Sequence, residues 1–323
     1  MKKKLYPLKF TPILIEKIWG GSKLKSILKK DTTSKVIGES WEISDVKGFS
    51  SKINNGSLKG TSLKILLKQY QDDLIGIKNY KIFGKEFPLL VKFIDANKDL
   101  SIQLHPNNKL AQQRHNSYGK TEMWYVMQAD NNSEIILGFN KDLNKEIYNK
   151  HLNNKTLTKV LNTVKVSEGD SFFVNPGQIH AIGAGVMLAE IQQTSDITYR
   201  IYDWDRVDSS GNKRKLHTEL ALDAIDFSSK EVNRLFYKKE KNQPNKMVSC
   251  PYFTTNYLEL ISDLKCNNTK DSFIIYLCVD GKAIINQNGN KVVINKGETV
   301  LLPASIKDYS VVTNYAKLLE VYV

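Results

Sequence analysis

Three short segments constrain this chain more than any other feature: Ser101-Ile102-Gln103-Leu104-His105-Pro106, Lys120-Thr121-Glu122, and Asn175-Pro176-Gly177-Gln178-Ile179-His180. Each places a side chain with metal-binding chemistry on or beside a strand-like stretch. Gln103 and His105 are two positions apart, so on an extended strand both point to one face. Glu122 and His180 must then arrive from neighbouring strands, which demands a β-fold that gathers distant segments. Two imidazoles, a carboxylate and an amide oxygen make a borderline-soft nitrogen and oxygen set suited to Zn2+, one ion per chain. Adding a water or substrate oxygen makes the site catalytic rather than closed and structural.

The other histidines, His115, His151 and His217, lack such a context and are read as surface or satisfied core residues. The stretch from Gly169 to His180 reads as a turn, an apolar strand, a second turn set by Pro176-Gly177, and a histidine opening the next strand. That order resembles the second cupin motif. The Gln-x-His segment and the later glutamate stand where the first cupin motif supplies its ligands.

The chain has 323 residues, 41% of them hydrophobic, enough for one large domain with insertions or for two ordinary domains. Its three cysteines, Cys250, Cys266 and Cys278, form no CxxC pair, and their odd number fits reduced thiols in a cytoplasm better than a disulfide framework. The basic start, Met1 to Lys4, is followed by no apolar segment, and no stretch approaches the roughly 18 apolar residues of a membrane span. A soluble, cytoplasmic protein, monomeric or homodimeric, with no membrane partner is expected. Forty-seven basic residues against 34 acidic ones give a net charge of +13, but the lysines are scattered and no nucleic-acid-binding motif accompanies them. The positive field instead favours steering a small anion such as a sugar phosphate.

The first 60 residues alternate apolar runs with turns, and helical spacing over 61–74 predicts an amphipathic helix. Residues 87–95 read as a buried strand broken by Lys92, an ammonium that needs a partner or a route to solvent. Strands follow at 123–127 and 134–139, a helical stretch over 141–163, strands over 186–192 and 198–204, and a helix near 219–225. The polar run 238–246 is the best linker. It separates a catalytic domain, 1–237, from 247–323, where Asp280-Gly281 and Asn288-Gly289 turns punctuate strands. There Gly297 to Pro303 repeats the rhythm of the 169–176 segment without a following histidine, which predicts a second β-sandwich free of metal. The expected fold is mainly β: a cupin-type jelly roll with short helical insertions, plus a metal-free cupin-like unit.

Taken together, Trp19-Gly20-Gly21, Gly38-Glu39-Ser40-Trp41-Glu42-Ile43-Ser44, the run 87–106, Lys120 to Tyr125, Gly177 to Ala181 and the run 190–203 resemble the zinc-dependent type I mannose-6-phosphate isomerases in their shorter bacterial form. The resemblance spans essentially the whole chain. It implies zinc ligands at Gln103, His105, Glu122 and His180 and a catalytic Arg200. It also implies interconversion of mannose 6-phosphate and fructose 6-phosphate through a cis-enediol. The short interval between Glu122 and His180 leaves no room for the helical insertion of longer members, so contacts made by that insertion are in doubt here. Arg200 stays protonated and suits enediolate stabilisation or bidentate phosphate binding. Lys120, two residues before a ligand, shares its face on a strand and is a candidate proton carrier, with phosphate binding the rival role. Ser101, Lys92 and Glu190 are further substrate-pocket candidates. The alternatives are a non-catalytic sugar-binding cupin and a non-haem iron oxygenase, the latter poorly matched by a glutamine ligand and an Arg/Lys pair.

Overall fold

The computed structural model describes residues 3–208, 210–229 and 231–323. Its first unit holds eleven principal strands: β1 (Ile13–Gly21), β2 (Ile37–Ile43), β3 (Leu89–Ala96), β4 (Ile102–Leu104), β5 (Glu122–Ala129), β6 (Glu134–Phe139), β7 (Leu161–Lys165), β8 (Ser171–Val174), β9 (His180–Ile182), β10 (Val186–Gln193) and β11 (Tyr199–Tyr202). They form a six-stranded sheet, β8-β5-β10-β3-β2-β1, and a five-stranded sheet, β7-β6-β9-β4-β11, both open. The order interleaves the chain, so segments far apart in sequence become neighbours.

Alternation sorts the side chains of the six-stranded sheet. Val91, Phe93, Met123, Tyr125, Met187 and Ala189 point to one face and join a large core. Ile94, Trp124, Val126 and Leu188 point to the other and pack against Ile135, Leu137 and Ile182 of the five-stranded sheet. Both faces are therefore buried, which is why β3 reads as an almost unbroken apolar run rather than an alternating one. The outer face of the five-stranded sheet carries Leu104, Tyr199 and Ile201 and is covered by Tyr148, Leu157 and Ala221.

The C-terminal unit contains β12 (Asn245–Ser249), β13 (Thr254–Leu260), β14 (Leu264–Asn267), β15 (Ile274–Gln287), β16 (Asn290–Asn295), β17 (Thr299–Leu302) and β18 (Asp308–Tyr322) in one sheet. Register shifts near Cys278 to Ile284 bend the long β15–β18 pair. Residues from both halves of β15, Tyr276 and Ile285 among them, thereby enter one interior. The architecture is mainly β, as expected. One core runs across the 238–246 crossing, joining Leu8, Phe93, Tyr125 and Met187 to Tyr257, Phe273, Leu319 and Val321.

Two helical expectations need correction. The stretch 141–163 holds only the helix Lys145–Asn153, capped by Asn144 Oδ1, then a single 3-10 turn at Leu157–Val160. Lys155 adopts φ 55°, which ends the helix, and β7 begins at Leu161 rather than Val164. The helix near 219–225 is confined to Thr218–Leu222. A helix not anticipated, Asn108–His115, has one buried position, Ala111, too few for an apolar periodicity, although Asn107 caps it.

Candidate active site

Register alone builds two rows of side chains. Across the five-stranded sheet His180 pairs with Gln103, and Gln103 with Arg200. Across the six-stranded sheet Trp124 pairs with Glu190, Glu190 with Lys92, and Lys92 with Trp41. Directly opposed residues share a face. The two rows line one cavity of about 390 Å³ between the sheets.

His180 lines this cavity and lies beside buried His105 and Glu122, with one ligand atom of each residue within 4.8 Å of the others. His105 Nε2 is 3.1 Å from Glu122 Oε1, and His180 Nε2 is 3.9 Å from Glu122 Oε2. His105 Nδ1 lies 2.8 Å from the Ile197 carbonyl and His180 Nδ1 2.9 Å from that of Gln178. A carbonyl can only accept, so Nδ1 carries the hydrogen and Nε2 of each ring presents a lone pair to the cluster. His180 Nε2 is buried with no hydrogen-bond partner. Such an orphaned acceptor is costly unless a ligand takes it.

Electrostatics put the three groups in the state a cation requires. Burial, aided by the Lys120 ammonium, pushes His105 down to about 3, and burial also lowers His180. Burial alone would raise Glu122, but the Lys120 ammonium 2.6 Å away outweighs it and holds the carboxyl well below its usual range. Neutral imidazoles and an ionised carboxylate are what metal binding needs. The residues present fit a divalent ion, with Gln103, the register partner of His180, placed to add an amide oxygen.

The expected companions converge on the same place. Lys120, which precedes β5 rather than lying within it, sets its Nζ 2.6 Å from Glu122 Oε1 and 3.2 Å from His105 Nε2. Lys92 does not reach for solvent: its Nζ is 3.2 Å from Glu190 Oε2 and 5.2 Å from the centre of the Trp41 ring. Burial and the like charge of Glu122 raise the Glu190 carboxyl. Ser101 Oγ donates to Gln103 Oε1 at 3.2 Å and accepts from Arg200 Nε at 3.3 Å. Arg200 Nη1 donates to the Lys215 carbonyl, and His217, expected to be a bystander, accepts from the Arg200 backbone N–H at 3.1 Å.

Among the lining residues that escaped the sequence reading are Trp124, Glu39, Trp41 and Arg214. The Trp124 indole N–H donates to both Glu122 Oε2 and Glu190 Oε1, at 3.0 and 3.3 Å. Period-two alternation could have found it, two residues after Glu122, just as it pairs Glu39 with Trp41, whose indole donates to Glu39 at 2.7 Å. Arg214 lies on a loop, where no local pattern signals it.

The chain resembles known isomerases in both sequence and fold. Residues 8–139 match the model for the phosphomannose isomerase type I catalytic domain, and residues 244–323 that for the mannose-6-phosphate isomerase cupin domain. A mannose-6-phosphate isomerase of Streptococcus mutans is 34% identical over 304 residues, covering 94% of each chain. One from Bacillus subtilis is 32% identical over 306 residues, covering 94% of this chain and 95% of its own. The crystal structure of a Bacillus subtilis mannose 6-phosphate isomerase superposes with a TM-score of 0.89 at 29% identity, covering 98% of this chain and 99% of its own. The apo form from Salmonella typhimurium, at 16% identity and a TM-score of 0.77, shares the fold. The chain thus belongs to the type I phosphomannose isomerase family.

Proposed function

We propose that this chain interconverts mannose 6-phosphate and fructose 6-phosphate through a cis-enediol, with zinc held by Gln103, His105, Glu122 and His180. The observation that carries the reading is the buried cluster of neutral imidazoles and ionised carboxylate, with the His180 Nε2 lone pair unsatisfied, at a cavity lined by arginine and lysine. When bound, the ion supplies a Lewis acid that orients and polarises a substrate oxygen.

The chain's own groups account for the remaining needs. A base must take the proton from carbon 2 and return it to carbon 1, while the hydroxyl proton on oxygen 2 passes to oxygen 1. Lys120 is assigned this transfer at Nζ, because it is buried within reach of the ligand cluster: its ammonium gives a proton to oxygen 1 and the amine so formed takes the one on carbon 2, after which Nζ returns a proton to carbon 1 and takes the one on oxygen 2. Arg200 is tied through Ser101 to Gln103, so its guanidinium stands one strand from the ligand set, where it stabilises charge developing on the enediolate. Glu190 and Lys92 neutralise each other on the opposite wall and offer hydrogen bonds to sugar hydroxyls. Residues 1–237 form the catalytic domain and 247–323 a second unit without metal, in a cytoplasmic enzyme. A coupled assay on mannose 6-phosphate, with metal content measured on the same sample, tests the reading: turnover that tracks zinc supports it, and a zinc-loaded protein without turnover overturns it.

A further inference from the structure

A phosphorylated substrate requires a group that holds the phosphate, and the metal cluster is not that group. We propose that Arg214, set in place by Asp203, is the phosphate-binding residue of this cavity, an inference that rests on the proposed sugar-phosphate substrate. Arg214 comes from the loop after β11, yet it lines the same cavity as Gln103 and Arg200. Side-chain exposure rises from 5% at Lys120 and 4% at Glu190 to 24% at Arg214, so the arginine stands toward solvent from the reacting end. That is where the charged tail of an extended sugar belongs.

The loop is built to hold this side chain. Asp203 is almost fully buried and accepts from Arg214 Nε at 2.7 Å, from Arg214 Nη2 at 2.5 Å and from Arg206 Nη2 at 2.6 Å. Trp204 and Asp205 both adopt the left-handed conformation, with φ 59° and 52°, which costs free energy for residues with side chains. The Trp204 indole donates to the Leu100 carbonyl and Arg206 Nη1 to the Asp99 carbonyl, fixing the turn on both sides. With Nε and one hydrogen of Nη2 taken by Asp203, Arg214 retains Nη1 and the second Nη2 hydrogen, a bidentate edge of fixed orientation.

Charge points the same way. Arg200, Arg206 and Arg214 are electrostatic neighbours of one another around the single carboxylate of Asp203. Among the described residues Arg200 has no carboxylate within 4 Å. Three guanidinium groups and one carboxylate leave an excess of two positive charges, the match for a phosphate monoester, which carries about −1.5 to −2 at neutral pH.

The test compares Arg214→Ala, Arg214→Lys and Asp203→Asn with the wild-type holoenzyme, measuring KM and kcat on mannose 6-phosphate and the dissociation constant of inorganic phosphate by calorimetry. Arg214→Ala should raise both KM and the phosphate dissociation constant by about tenfold to a hundredfold, the range for losing one or two charge-assisted hydrogen bonds, with kcat falling far less. Arg214→Lys should recover part of the affinity, because it keeps the charge and loses the bidentate edge. Asp203→Asn should shift both constants in the same direction as Arg214→Ala, through loss of orientation. Unchanged KM and phosphate affinity in Arg214→Ala, with metal content and melting temperature intact, overturn the proposal. If the wild type fails to isomerise the sugar phosphate, the substrate reading fails, and the calorimetric comparison still decides whether Arg214 binds phosphate.

Discussion

At the scale of single residues, the site is a set of protonation states imposed by burial. Each imidazole spends its Nδ1 hydrogen on a carbonyl and turns an Nε2 lone pair toward Glu122, that of His180 without a partner. The protein as purified should therefore carry about one zinc per chain by metal analysis, and chelation should abolish turnover while circular dichroism shows the fold retained, since the ligands hang on strands of a well-packed sandwich. Iron as the functional metal, or full activity without metal, would contradict this. Arg200 is separable from the ligands. Arg200→Ala should retain zinc and lose about a hundredfold or more in kcat, the scale for removing a preorganised electrostatic group. A rise confined to KM would reassign Arg200 to ground-state phosphate binding. His105, Glu122 and His180 were legible in the sequence because each stands in a turn-and-strand context. Arg214 was not, because its place depends on a loop held by Asp203 and on carbonyls about a hundred positions away.

At the scale of elements, β2 shows how one strand serves two layers. Glu39 and Trp41 face the cavity, whereas Ser40 and Glu42 face the opposite way and meet Lys30. Lys30 Nζ lies 2.6 Å from Glu42 Oε1 and donates to the Gly297 carbonyl at 2.6 Å, tying the catalytic sheet to the C-terminal unit. Both side chains are almost fully buried, so Lys30→Met leaves a carboxylate unpaired and should destabilise the protein by about 3–5 kcal/mol. The pH dependence follows from Glu42. Burial already raises its carboxyl above the ordinary 4.5, although Lys30 and Ser40 pull it back, and losing Lys30 raises it further. A folded state that holds the proton more tightly is favoured at low pH, and this advantage disappears as pH rises from 4.5 through the folded value. Denaturant unfolding of Lys30→Met should therefore show a larger loss at pH 8 than at pH 4.5, and an equal loss at both would refute the assignment.

At the scale of the whole molecule, the large core makes the two units interdependent. The outward face of the six-stranded sheet, with Val91, Phe93 and Tyr125, is covered by Tyr257, Phe273, Ile275 and Leu319 of the C-terminal sheet. Residues 1–237 expressed alone should therefore expose an apolar face and fail to give a cooperative melt, whereas the full chain should melt as one transition. Phe273→Ala, at a site with no accessible surface, should cost about 3–5 kcal/mol and lower the thermal midpoint while zinc is retained. Independent folding of 1–237 with full stability would show that the shared core is dispensable.

By itself the sequence determined most strand segments, the mainly β class, and the candidate metal-ligating and charged groups, because strand alternation and turn residues act locally. Lys92 could be read there as a lysine in need of a partner, but not that the partner is Glu190, which lies opposite it only through the β3–β10 register. The limits of the 141–163 helix depended on Lys155 taking a left-handed conformation and on β7 pairing with β6 from Leu161, contacts that no periodicity encodes. Only the tertiary structure placed Gln103 between His180 and Arg200, set Trp124 across from Glu190, and brought Arg214 into the cavity. Those relations arise from pairing between segments distant in the chain, where loop closure and packing, rather than local propensity, select the register.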